Sequence, residues 1–196
     1  MSYKTALCWL VCFVTPAVYG ADSSKTHIWI SGGPVRVSNP TEAQSAVRLA
    51  LGIDVLLVES RFFVGAFISK PFLRESFSTA SLTDVLFQKK TSGKLSSLNF
   101  FATGGYYLIP SFAWMRLAVG QAWVSSDTEV SSRLVNTLGA GIGFDLSVAS
   151  ILKIGIEGMY EFRGGDSPLF IAAAWLSGEF PNAHQFSVNA RISFLP

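Results

Sequence analysis

The sequence holds two histidines, the side chains best suited to acid–base chemistry at neutral pH. One of them, His184, shares the segment 163–184 with Asp166 and Ser167, so the residue types of a Ser-His-Asp set occur together. Three polar residues in one long segment often meet by chance, and the other histidine, His27, lies near the opposite end of the chain. We therefore predict that the protein is not an enzyme and has no catalytic residue.

The N-terminal segment 1–20 has the organisation of a cleavable secretory signal. Lys4 supplies a positive charge, the stretch from Ala6 to Val14 is apolar, and Pro16 precedes small residues, with cleavage expected after Gly20. Both cysteines lie inside this segment, so the exported part, residues 21–196, has no thiol for a disulfide or a metal. Because its histidines are also far apart in the sequence, we predict no metal site, no cofactor and no cofactor-binding residue.

The composition of the chain narrows the classes of protein to which it could belong. The formal net charge is only +2 at pH 7, which gives no electrostatic support for binding nucleic acid. Hydrophobic residues make up 49% and charged residues 14% of the chain, a balance that favours a membrane environment. After the signal, however, no apolar run reaches the roughly 18 residues that a transmembrane helix requires. The hydrophobic residues must therefore be arranged in another way.

That arrangement has a period of two residues, as in a β-strand with one apolar face. From Val47 to Val55 every second residue is apolar, and the residues between them are small or charged. The final segment, from Phe186 to Phe194, alternates most regularly. Similar strands are predicted over 98–108, 115–123, 138–146 and 152–162, and two more, with ambiguous faces, over 27–37 and 61–70.

Strand length and connection length indicate a membrane barrel. Each run matches the roughly 9 to 11 residues with which a tilted strand crosses the hydrocarbon layer. The connections alternate between short turns (58–60, 110–111, 147–150) and longer segments (38–42, 71–94, 125–133, 163–184). We predict one domain over 21–196, an all-β, closed antiparallel transmembrane β-barrel of eight strands. Counting 82–88 and 169–176 as strands would give the alternative of ten.

On these alternating strands the chain resembles the small eight-stranded outer-membrane proteins of Gram-negative bacteria, the OmpA-like, OmpX-like and opacity-type barrels. The last strand of that family ends in an aromatic residue read by the barrel assembly machinery, and Phe194 matches it, although Leu195 and Pro196 follow. The resemblance implies a location in the cell outer membrane, with lipid, lipopolysaccharide and the assembly machinery as partners and with external loops that meet host or surface ligands.

Charged residues on the polar strand face are predicted to point into the lumen. A narrow barrel cannot leave such charges unpaired, because an isolated buried charge is costly. We therefore expect a salt-bridged plug, and the alternative is a small ion path lined by the same groups. The residues concerned are Arg48, Asp54, Arg116, Asp145, Lys153, Glu157, Glu161 and Arg191.

Aromatic residues and loop residues supply the remaining candidates. Aromatic girdles are expected at the two membrane interfaces, and stacking on a ligand is possible only for those rings that face inward. The aromatic residues concerned are Trp29, Tyr106, Tyr107, Trp114, Trp123, Tyr160, Phe162 and Phe194. Lys89, Lys90 and Lys94 could contact lipopolysaccharide phosphates, and the apolar stretch from Phe170 to Trp175 could meet a partner. The predicted function is a non-enzymatic structural or surface-interaction barrel; a small-solute pore and a lipid-modifying enzyme are the alternatives.

Overall fold

The computed structural model describes residues 26–38, 43–57, 61–73, 95–126, 133–163 and 183–196. These residues form eight strands and no helix. None of them belongs to a helix long and apolar enough to cross a membrane. The strands are β1 (Thr26–Ser38), β2 (Ala43–Leu56), β3 (Phe62–Leu73), β4 (Leu95–Ile109), β5 (Ala113–Ser126), β6 (Arg133–Ala149), β7 (Leu152–Arg163) and β8 (Ala183–Phe194).

The eight strands close into one barrel. Each strand pairs antiparallel with the next, and β8 returns to pair with β1, with Ile28 opposite Phe194 and Ser38 opposite His184. Closure leaves no strand edge unpaired, which is why a barrel can sit in a solvent that offers no hydrogen bonds. The predicted eight-stranded barrel is confirmed. The ten-strand alternative is wrong, because eight strands already complete the barrel; segments 82–88 and 169–176 lie outside the described residues.

The two faces of each strand differ as the period of two requires. In β5 the side chains of Met115, Leu117 and Val119 are exposed, whereas those between them, Arg116 and Ala118, are buried inside the barrel. Leu117 is 63% exposed, and residues of its type cover the outside of the other strands as well. A continuous apolar exterior of this kind is stable against lipid and would aggregate in water.

The chain connections define the two ends of the barrel. Residues 57–61, 110–112 and 150–151 link strands at one end, which we call the short-turn end. The segments 39–42, 74–94, 127–132 and 164–182 join strands at the other, which we call the long-loop end. Short turns face the periplasm in bacterial outer-membrane barrels. The strands have 12 to 17 residues, so they continue past the apolar alternation from which they were predicted.

Three of the aromatic residues assigned to interface girdles lie inside the barrel instead. Trp29, Trp114 and Tyr107 are 1%, 1% and 6% exposed, so the girdle prediction is wrong for them. The two indoles fit because glycine lies beside each ring: a Cβ added to Gly52 would overlap the ring of Trp29, and one added to Gly143 would overlap that of Trp114. Glycine thus makes room for large interior side chains in a narrow barrel.

Candidate functional site in the barrel interior

All eight charged residues singled out in the sequence have side chains buried inside the barrel. None of them is more than 5% exposed, and six form ion pairs with one another. Six of the eight lie between two exposed or partly exposed neighbours on their strand, as expected for side chains that point inward. Asp54 and Glu161 each have one buried neighbour, Val55 and Phe162 respectively. The buried set is Arg48, Asp54, Arg116, Asp145, Lys153, Glu157, Glu161 and Arg191.

Nearest the short-turn end, one carboxylate holds two arginines. Asp54 Oδ2 accepts hydrogen bonds from Arg191 Nη2 at 2.8 Å and from Arg116 Nη2 at 3.3 Å. Both guanidinium groups also lie over indole rings, Arg116 at 4.2 Å from the centroid of Trp114 and Arg191 at 4.4 Å from that of Trp29. One negative charge and two aromatic faces therefore compensate two buried cations.

In the middle of the barrel, Glu157 connects Arg191 to a third arginine, Arg48. Its carboxylate lies 3.7 Å from Arg191 Nη1 and 3.6 Å from Arg48 Nη1. The same carboxylate accepts hydrogen bonds from Ser31 Oγ at 2.7 Å and from Asn189 Nδ2 at 3.2 Å. Both neutral donors bind Oε1 of the carboxylate that the two guanidinium groups share.

Toward the long-loop end, Glu161 receives three donors. Arg48 Nη2 donates to its Oε1 at 2.8 Å, while Asn99 Nδ2, at 3.3 Å, and Gln185 Nε2 donate to its Oε2. Its side chain is fully buried. Such donors compensate the cost of burying a carboxylate.

Arg163 extends this network and was missed in the sequence, where the predicted strand ended at residue 162 and Arg163 was assigned to the following loop. In the structure Arg163 belongs to β7, and its guanidinium donates to Gln185 Oε1 at 2.7 Å and to Ser97 Oγ at 3.2 Å. The period of two from Glu157 through Glu161 to Arg163 was the signal that could have found it.

These contacts form one chain of alternating charge along the barrel axis, which we call the lumen ladder. It begins near the short-turn end and finishes near the long-loop end. Every neighbouring pair is within 4 Å, or joined by a hydrogen bond through one glutamine. In order it consists of Arg116, Asp54, Arg191, Glu157, Arg48, Glu161, Gln185 and Arg163.

Two of the predicted interior charges stand outside the lumen ladder. Asp145 accepts a hydrogen bond from Trp114 Nε1 at 3.0 Å. Lys153 lies with its ammonium 5.9 Å from the ring centroid of Tyr107. Among the described residues, no carboxylate oxygen lies within 4.0 Å of the ammonium of Lys153. Both residues lie toward the short-turn end, where β6 and β7 meet.

Aromatic side chains fill the space beside the ladder. Phe67 stacks on Phe101 with ring centroids 4.6 Å apart and lies 5.6 Å from the ring of Trp29. Closer to the short-turn end, Phe63 meets the edge of Trp114 with centroids 6.3 Å apart. Charged and aromatic groups together make the interior a packed core, with bulky side chains where a channel would need open space.

The remaining candidates are dispersed. His27 lies opposite Asp54 at the short-turn end and His184 opposite Ser38 at the long-loop end, so the two histidines cannot share a site. Within the described part of the chain, no three potential metal-ligating residues come together. Phe194 is exposed on the outer face of β8. The signal segment, Asp166, Ser167 and the loop residues Lys89, Lys90, Lys94, Phe170 and Trp175 lie outside the described residues.

Comparison with known proteins identifies solved structures that share this fold. Neither protein-family models nor curated protein sequences match the chain. Solved structures do match: Neisserial surface protein A superposes with a TM-score of 0.63 at 10% identity, covering 90% of this chain and 99% of that one. This chain has the fold of a small outer-membrane β-barrel. That fold and the apolar exterior are those of an outer-membrane protein, the location predicted from the sequence.

Two further structures share the outer-membrane barrel fold at similarly low identity. Ail, the attachment invasion locus protein of Yersinia pestis, gives a TM-score of 0.52 at 13% identity, covering 87% of this chain and 97% of its own. The N-terminal β-barrel domain of Pseudomonas aeruginosa OprF gives 0.50 at 5% identity, with coverages of 85% and 96%. Similarity at identities this low indicates a shared fold and does not indicate a shared activity.

Proposed function

We propose that this outer-membrane barrel is a non-enzymatic surface protein, whose rigid, plugged barrel displays the segments at its long-loop end for interaction. The observation that carries the proposal is the lumen ladder. If side chains fill the interior, only the outside of the barrel and the segments at its ends are available for binding. The ladder pairs its charges along the barrel. Its glutamates and the arginines Arg48, Arg116 and Arg191 are at most 2% exposed, and Arg163, at the long-loop end, is 8% exposed. Its ion pairs join strands that are not neighbours in the barrel, which favours a fixed interior.

The charge balance of the interior supports a plug rather than a selective path. The lumen ladder alternates cation and anion, so an ion of either sign that entered would meet a repelling charge at the next step. Trp29, Trp114 and Phe101 are at most 1% exposed and occupy the same cross-sections as the arginines. Opening a path would therefore require several bulky side chains and ion pairs to move together.

A second candidate function, a small ion pore, is favoured by one observation. Several interior polar atoms, among them Thr103 Oγ1, Thr137 Oγ1 and Arg116 Nη1, have no hydrogen-bond partner among the described residues. Such atoms are ordinarily satisfied by water. In this alternative, neutralising Arg116 or Glu157 would change the conductance of the barrel in a planar bilayer.

For the interaction partner we propose an anionic surface, with lipopolysaccharide phosphates as the first choice. The segment 74–94 joins β3 to β4 at the long-loop end and contains Lys89, Lys90 and Lys94. One structure that shares the fold is that of Ail with the heparin analogue sucrose octasulfate, at a TM-score of 0.51 and 13% identity. Phosphate and sulfate groups attract lysine in the same way.

Replacing the three lysines with serine is expected to weaken binding to immobilised lipopolysaccharide. Each cation near an anionic surface contributes about 1 kcal/mol, so the triple variant should bind at least about ten-fold more weakly. The difference should shrink as salt is added. Binding of the folded barrel, held in lipid nanodiscs, is measured by surface plasmon resonance at low and high ionic strength.

The matched control replaces the same three lysines with arginine, which keeps the positive charge and should leave this binding nearly unchanged. Binding by the triple serine variant at wild-type strength would rule out the lysines as the contact. A loss confined to a variant with Phe170→Ser and Trp175→Ser would instead identify an apolar partner surface. The terminal Phe194 as assembly signal and residues 1–20 as signal peptide complete the proposal for export to the outer membrane.

A further inference from the structure

The short-turn end holds a cavity that plays no part in the lumen ladder. It has a volume of about 560 Å³ and opens toward the side on which the short turns lie. This size suits a small molecule or the terminal group of a larger one. We call it the short-turn vestibule, and it is lined by His27, Leu56, Arg61, Tyr107, Pro110, Ser111, Ser147, Val148, Ala149, Ser150, Lys153 and Leu195.

Lys153 is the unusual group of the short-turn vestibule. Its side chain is only 5% exposed, yet among the described residues its ammonium has neither a carboxylate within 4.0 Å nor a hydrogen-bond acceptor. The four interior arginines, by contrast, each contact a carboxylate or donate to a hydrogen-bond acceptor. The ring of Tyr107, 5.9 Å away, and the more distant charge of Asp145 compensate this ammonium only in part. An anion that enters the vestibule could therefore contact it directly.

The rest of the lining agrees with an anionic ligand. The described wall contains a second cation, Arg61, and no acidic residue. Arg61 Nη1 donates to the carbonyl oxygen of Leu108 at 3.3 Å, which holds its guanidinium beside the opening. Tyr107 Oη lies 3.5 Å from His27 Nδ1 at the inner end, so a hydroxyl and an imidazole stand near the ammonium. Such donors complement the oxygens of a carboxylate or phosphate.

We propose that the short-turn vestibule is a binding site for a small oxyanion, held by Lys153 at its inner end and by Arg61 at its mouth. The shared chemistry is a carboxylate or phosphate group carried by a small molecule or a terminal group on the periplasmic side. Leu56, Val148 and Leu195 provide an apolar rim that would contact the carbon portion of such a ligand. The site is independent of what binds at the long-loop end.

The test is a titration of the folded full-length barrel in zwitterionic detergent with inorganic phosphate and, separately, with acetate. Backbone amide shifts from nuclear magnetic resonance report where each anion binds. We expect saturable shifts confined to residues around 147–153 and 107–111, with none at the long-loop end. A tighter response to phosphate would identify a phosphate ester as the ligand class, and a tighter response to acetate a carboxylate.

Lys153→Met should lower the affinity for the tighter-binding of the two anions by about ten-fold, since it removes a charge-assisted hydrogen bond. The matched control is Lys70→Met, which removes an exposed lysine from β3 and should bind as the wild type does. Absence of saturable shifts with both anions, or equal binding by Lys153→Met, would overturn the proposal.

If Lys153→Met does not show the heat-dependent gel shift of a closed barrel, Arg61→Gln tests the anion site instead. Arg61 is exposed, so this variant should fold normally. It should bind about three-fold more weakly, because an exposed cation contributes less than a buried one. Unchanged binding in Arg61→Gln would then count against the site.

Discussion

Asp54→Ala is expected to lower the free energy of unfolding of the barrel by about 3–5 kcal/mol, the usual effect of breaking a buried ion pair from one side. The variant leaves the guanidinium groups of Arg116 and Arg191 without the carboxylate that both contact. The two guanidinium groups would then repel each other without a shared counter-charge between them. The loss is measured by guanidinium unfolding of the barrel in lipid vesicles, followed by tryptophan fluorescence.

The matched control for Asp54→Ala is Asp145→Ala. Asp145 is another buried aspartate, but it accepts its hydrogen bond from Trp114, and among the described residues it forms no ion pair within 4.0 Å. It should cost about 1–3 kcal/mol, the range for leaving one buried donor unsatisfied. Adding Arg116→Met to Asp54→Ala should restore part of the loss, because Arg116 has no ion pair among the described residues other than the one with Asp54. Equal losses for the two alanine variants would contradict the importance of the arginine pair.

Gly143→Val is expected to disrupt the interior packing strongly. Its Cβ would overlap the ring of Trp114, and that ring cannot move away freely because Asp145, Phe63 and Arg116 contact it. Overpacking of this kind costs about 1–3 kcal/mol or more, and valine adds two methyl groups to the clash. The variant should fold in lower yield, measured as the fraction that shows the heat-dependent gel shift.

Gly104→Val is the control for Gly143→Val, because it makes the same substitution on the outer face. No atom lies within 4 Å of a Cβ added to Gly104, and valine suits a strand that faces lipid. Its folding yield should equal or exceed that of the wild type. If Gly143→Val folded as well as Gly104→Val, the interior would be looser than the contacts of Trp114 indicate.

Much of the fold follows from the sequence because a strand has a strict period of two. The alternation over 47–55 and 186–194 places Arg48 and Arg191 on the face opposite the apolar residues, and the structure has both side chains inside. The short and long connections likewise indicate how the strands must close. These features depend on local order along the chain, which a single sequence contains.

The interior aromatics were harder to predict. Trp29 was assigned to a membrane interface because amphipathic rings favour that depth. Its strand continues into Gly32, Gly33 and Pro34, so the alternation that would have shown which face is buried is interrupted. Only the pairing with β2 and β8, with Ile28 and Ile30 exposed on either side, fixes the indole inside.

The ion-pair partners could not be predicted from sequence at all. Arg48 on β2 pairs with Glu161 on β7, and Arg191 on β8 with Asp54 on β2, so partners come from strands that are not neighbours. Which charges meet across a lumen depends on the tilt and stagger of all eight strands together. Charge count alone indicated that a network should exist, and the geometry of the closed barrel decides which groups form it.

The most direct test of the plugged lumen is the conductance of the refolded wild-type barrel in a planar lipid bilayer, after the heat-dependent gel shift has shown that it is closed. The lumen ladder and the interior aromatics predict a bilayer as silent as one without protein. Stable, reproducible channels that change when Glu157 or Arg116 is neutralised would contradict the plug and establish the barrel as a pore.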